Sequence, residues 1–187
     1  MQWSGDEMKQ GKQVAYLGIF LTLALILSYV ETLIPFAVGI PGVKLGLCNL
    51  VVVLMLYLWD WKKAITVSLL RIVLSGILFG NVFGILYSLA GGILSFLVML
   101  VLKKTDRFHV ITVSIFGGVF HNIGQILVAA LVLETYYVIY YVPMLVLAGA
   151  VTGTLIGFLS AELGKRLGPI IQKEWGNESC THISKDN

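Results

Sequence analysis

The sequence predicts an all-α membrane protein: six transmembrane helices in one bundle, with both termini cytoplasmic. Three observations predict it. Of the 187 residues, 58% are hydrophobic and only 12% charged, with a mean hydropathy of +0.91. Soluble domains carry about 25% charged residues, and a chain this short has too little interior to hide so much apolar surface. Apolar runs of helical length follow one another along the chain, and lysine and arginine gather at alternate connections.

Each run is judged against the bilayer. A crossing helix needs about 20 apolar residues at about 1.5 Å of rise each. The runs are 14–34, 45–59, 64–80, 82–102, 110–133 and 142–164. The second and third are short, and only "DWKK" separates them, which predicts a tight helical hairpin. Residues 1–13 form a polar N-terminal segment and 165–187 a polar tail, leaving 14–164 as one membrane domain. No signal peptide precedes the first run, so the first span is expected to persist.

Cytoplasmic connections are enriched in lysine and arginine. Lys9 and Lys12 precede the first run, Lys62 and Lys63 separate the second and third, and Lys103, Lys104 and Arg107 separate the fourth and fifth. Lys165, Arg166 and Lys173 follow the sixth. The opposite connections hold only Lys44, the 80–82 turn and "ETYYVIYY" (134–141). The net charge of +3 is mostly this bias and not a nucleic-acid surface. Tyr136, Tyr137, Tyr140 and Tyr141 then fall at the outer interface, and Trp59 and Trp61 are expected to anchor the inner one.

Ionisable side chains inside spans are costly and turn toward a bundle interior or a cavity. Here they are Glu31, Lys44, Arg71 and His121, joined by the neutral Asn49, Asn122 and Gln125. In the predicted orientation they lie in the middle or outer half, as a pocket open to the outside requires. His121 and Gln125 are four apart and share a helix face, while Asn122 points about 100° away. Two plainer readings compete: His121 and Gln125 as glue between helices, and Arg71 paired internally with Glu31. Small residues recur every four positions at Gly149, Gly153, Gly157 and Ala161, and again at Gly76, Gly80, Gly84, Ser88 and Gly92. Such rows let helix backbones approach closely, against a partner helix inside this chain or in another protein. Cys48 and Cys180 lack any metal or disulfide spacing.

Five stretches carry a family resemblance: "LSYVETLIP" (27–35), "VKLGLCNLV" (43–51), "LYSLAGGILS" (86–95), "SIFGGVFHNIGQ" (114–125) and "PMLVLAGAVTG" (143–153). Together they resemble the bacterial Gx transporter family, also labelled heptaprenyl diphosphate synthase component I, over roughly residues 12–165. The chain also looks like the substrate-binding S components of energy-coupling factor (ECF) transporters. The resemblance implies a protein of the bacterial cytoplasmic membrane that captures a small molecule at the outer face. It would dock on a transmembrane coupling subunit driven by two ATPases, through the small residues of span 1, here Ala15, Gly18 and Thr22. Glu31, Lys44, Asn49, Arg71, His121 and Gln125 are the expected substrate-binding residues.

An enzyme is not expected. No GxxxxGK[ST] loop is present for nucleotide hydrolysis, and no carboxylate cluster would hold Mg²⁺ for prenyl transfer. No cofactor or metal is expected either. Substrate capture for ATP-driven uptake therefore ranks first. A membrane subunit of a flavin- or quinone-linked electron-transfer system is the alternative, and a noncatalytic component of prenyl diphosphate synthesis the third. Basic and hydrogen-bonding residues amid apolar walls suit a vitamin-like or isoprenoid-like ligand.

Overall fold

The computed structural model describes residues 5–33, 46–80, 82–133 and 140–175. Within them the chain forms six helices: α1 (Gly5–Leu33), α2 (Asn49–Leu58), α3 (Trp61–Phe79), α4 (Val82–Lys104), α5 (Val110–Leu133) and α6 (Val142–Trp175). Neighbours in the bundle are α1 with α3, α3 with α4, α4 with α5, and α5 with α6, while α2 lies where α6, α3 and α1 meet.

Four helices, α1, α4, α5 and α6, are long and apolar enough to cross a membrane. The expectation of six full spans is corrected at the other two. α3 has 19 residues but carries Lys62, Lys63 and Arg71, which lower its apolarity. α2 has 10 residues, not the 15 expected, and reaches only about 15 Å. Its direction follows α6: a Cβ placed on Gly46 would lie 3.8 Å from Ile156 Cδ1, and one on Gly168 would lie 3.9 Å from Leu58 Cδ2. Since Ile156 is near the middle of α6, α2 starts at mid-depth and runs to the basic end.

α2 is buried from Val51 to Leu58 without interruption, and it supplies much of the apolar core. A helix that is apolar on all sides belongs in an interior. Lys103, in the last turn of α4, caps its far end by donating to Leu56 O, with the ammonium 5.2 Å from the Tyr57 ring centre. Trp59 is also drawn inward. It is only 4% exposed and packs edge-on against Tyr16 and Phe20, each ring centre 6.0 Å away. It is therefore a core residue and not the expected interfacial anchor, whereas Trp61 is exposed. α1 and α6 continue as helices beyond the apolar runs, to Gly5 and to Trp175.

The glycine row of α6 faces inward. A Cβ on Gly153 would lie 2.7 Å from both Ile115 Cα and Ser114 O, and one on Gly157 would lie 2.7 Å from Ile111 Cα. Gly118 and Gly149 meet backbone to backbone on the same seam. The partner of this row is thus α5 of the same chain. Gly91 and Gly124 do the same between α4 and α5, where a Cβ on Gly124 would lie 2.8 Å from Gly91 Cα. Wide faces remain exposed, such as Leu147, Val151, Leu155 and Phe158 on α6 and Val14, Ile19 and Ile26 on α1. A bilayer covers such faces.

Candidate small-molecule site

The polar residues gather into two groups at the mid-depth where α2 begins. The first joins α1, α2 and α3. Gly46, with φ +71°, makes the turn into α2, and its N–H donates to Glu31 Oε1. That left-handed backbone suits glycine, which has no Cβ to clash. The Cys48 thiol lies 3.6 Å from Glu31 Oε2 and accepts from Arg71 Nη1 at 2.8 Å. Arg71 Nη1 also reaches Ser28 Oγ, at 3.5 Å. Glu31 and Arg71 are therefore linked through a thiol. Arg71 is only 8% exposed, and its Nε is buried without a hydrogen-bond partner.

The second group lies on α5. Gln125 Nε2 and His121 Nε2 are 3.1 Å apart, one helical turn from each other. Both side chains lie across α4, where a Cβ on Gly91 would fall 2.9 Å from Gln125 Cγ and 3.1 Å from His121 Nδ1. Gln125 Oε1 is buried and unpartnered. Asn122 turns the other way and donates through Nδ2 to Leu145 O of α6, at 2.8 Å. The difference in direction follows from the 100° step between successive helical residues.

Two small cavities adjoin these groups. One, of about 100 Å³, lies between α1, α3 and α4 and is bordered by Ser28, Glu31, Arg71, Ser75 and Ser88. The other, of about 30 Å³, is bordered by Cys48, Asn49, Ser68, Arg71, His121 and Asn122. Arg71 lines both. The smaller volume suffices for a water or two, at about 10–15 Å³ each. Neither reaches the roughly 300–1,000 Å³ of a drug-sized ligand pocket.

Of the expected binding residues, Glu31, Asn49, Arg71 and His121 thus converge on one layer, and Gln125 sits behind His121 against α4. Lys44 lies outside the described residues, as do Glu134, Tyr136 and Tyr137. Cys48 and Ser28 are the residues that the sequence does not single out. Their side chains suit an apolar helix as well as a polar cluster, and only the cation that they touch distinguishes the two roles. The expected docking residues Ala15, Gly18 and Thr22 all lie on the exposed face of α1. A Cβ on Gly18 would meet nothing within 4 Å, and Thr22 Oγ1 bonds back to Gly18 O at 2.8 Å.

Among the described residues, no group of three or more His, Cys, Asp or Glu is placed to hold a metal ion. A family model described as heptaprenyl diphosphate synthase component I matches residues 20–163, which contain every member of both polar groups. No curated protein and no solved structure matches the chain.

Proposed function

Because the chain belongs to the heptaprenyl diphosphate synthase component I family, which shares its fold with ECF transporter S components, we propose that it is a noncatalytic membrane subunit. It holds the polar head of an amphiphilic small molecule at the Arg71 layer for partner proteins to use. The observation that carries this reading is Arg71 itself, buried at the junction of two cavities with an N–H unmet. A guanidinium presents a planar fork of donors suited to carboxylate and phosphate oxygens. A thiol satisfies that fork poorly, so an anionic head has much to gain by replacing it.

The family's name, heptaprenyl diphosphate synthase component I, favours a noncatalytic part in prenyl diphosphate synthesis over uptake. A prenyl diphosphate also has the required form, an anionic head on an apolar tail. A second reading, capture of a ligand for ATP-driven uptake, draws on the open row at Ala15, Gly18 and Thr22, which offers a coupling subunit a flat approach. A place in flavin- or quinone-linked electron transfer makes the same use of a head-group site.

Titration of the purified protein with prenyl diphosphates, flavins and vitamins tests the site. Binding of a prenyl diphosphate is expected, with affinity at least about tenfold weaker in Arg71→Met, the equivalent of about 1.4 kcal/mol. Equal affinity in the variant rejects the head-group assignment. Proteins recovered with the chain then separate the readings: a prenyl diphosphate synthase supports the first, and a coupling subunit with ATPases the second. For orientation in the bacterial cytoplasmic membrane, Tyr140→Cys should react with an impermeant reagent from outside and Arg107→Cys should not. The reverse pattern would place the basic end outside.

A further inference from the structure

We propose that the cleft between the start of α5 and the second half of α6 binds an anionic phospholipid from the surrounding leaflet. This site lies at the basic end of the bundle, away from the Arg71 layer, and stands independently of that reading. The cleft has a volume of about 140 Å³. Its wall is apolar, made by Val110, Ile111, Phe158 and Ala161, and its rim carries His109, Glu162 and Lys165.

Three features select the ligand. The apolar wall continues into a lipid-facing strip: Phe158 is 66% exposed, and Leu155 and Leu159 beside it are 61% and 47% exposed. Residues three and four apart share a helix face, so an acyl chain meets a continuous surface there. Lys165 stands seven residues beyond Phe158, two turns along the same face and outside the apolar run. Arg166 is its neighbour in the chain, and both are exposed. Glu162 is engaged by Arg166, whose Nε and Nη2 lie 3.0 and 2.9 Å from its Oε1. Arg107 is exposed two residues before His109, Lys104 closes α4, and Asp106 is the acidic member of the connection between them.

Basic pockets between membrane helices on the lysine-rich side suit anionic head groups. A zwitterionic lipid brings its own cation against Lys165 and gains less. A free phosphate gains nothing from the Phe158 wall. The combination of Lys165 on the rim, with Glu162 already accepting from Arg166, and one lipid-facing wall therefore fits a phospholipid whose head carries net negative charge.

The test uses the purified full chain in a neutral detergent, with phosphatidylglycerol, phosphatidylcholine of the same acyl chains, or inorganic phosphate added. Phosphatidylglycerol should raise the melting temperature by several degrees and remain bound as one molecule in native mass spectrometry. Phosphatidylcholine should do neither. Lys165→Gln together with His109→Gln should at least halve the melting shift. Ala161→Trp, which fills the cleft and leaves every charge in place, should abolish retention of the lipid. Equal shifts from both lipids, or retention unchanged in both variants, would overturn the site. A shift of the same size from inorganic phosphate would overturn the bilayer lipid as its occupant.

Discussion

The two sides of this bundle are held together differently. Between α5 and α6, backbones touch through Gly118, Gly149, Gly153 and Gly157, and the Asn122 side chain bridges the helices. Between α1, α2 and α3, a chain of Glu31, Cys48, Arg71 and Ser28 spans the gap beside open cavities. Close backbone contact gains many weak dispersion contacts and has little freedom to rearrange. A polar layer around a buried cation has alternative partners within reach. One side is thus held by close-packed backbone, and the other by a buried polar chain with space beside it.

Substitutions break that comparison most sharply at the glycines. Gly153→Leu puts a side chain where Ile115 Cα and Ser114 O already lie 2.7 Å from a first carbon. Backbone on the far side cannot swing away, so a loss of about 3 kcal/mol or more is expected, at the upper end of overpacking costs. A thermal melt in detergent reads it; a melting point like that of the unaltered chain would show that the seam can spread. Asn122→Ala comes next. It removes the bond that Asn122 Nδ2 donates to Leu145 O across the seam and should destabilise the empty protein by about 1 kcal/mol.

The polar layer should answer in the opposite sense. His121→Ala, and Gln125→Ala through its contact with His121 Nε2, are expected to weaken ligand binding, by about 1–3 kcal/mol for His121 and less for Gln125, while the melting point of the empty protein moves little. Calorimetric titration beside the melt separates the two. Should both variants unfold while the survivors bind normally, His121 and Gln125 are glue between α4 and α5. The smallest effect is expected at Gly18→Leu. With nothing within 4 Å of the new carbon, stability should change by no more than about 0.5 kcal/mol. Recovery of a docked partner subunit should nevertheless fall. A large stability loss there would mean that α1 packs against something within its own assembly.

Much of this was legible from the residues alone, because a bilayer imposes simple demands on a chain. Apolar runs located all six helices, although the bilayer-length rule overestimated α2. That rule counts apolar residues and cannot tell a helix facing lipid from one enclosed by its neighbours. Four-residue spacing announced the glycine seams, and a lone arginine and histidine in apolar runs announced the polar layer. Helical periodicity likewise set Asn122 apart from His121 and Gln125.

Tertiary structure alone decided what each of these meets. The row on α6 is equally suited to another protein, and only the packing assigns it to α5. Glu31 and Arg71 are 40 positions apart in the chain, and no spacing rule places Cys48 between them. Trp59 reads as an interfacial ring until α1 brings Tyr16 and Phe20 onto it. Sequence determines which groups water or lipid will refuse, since transfer free energy belongs to each side chain. Which neighbour then satisfies a buried group depends on how the helices pack, and that is settled only when the whole bundle closes.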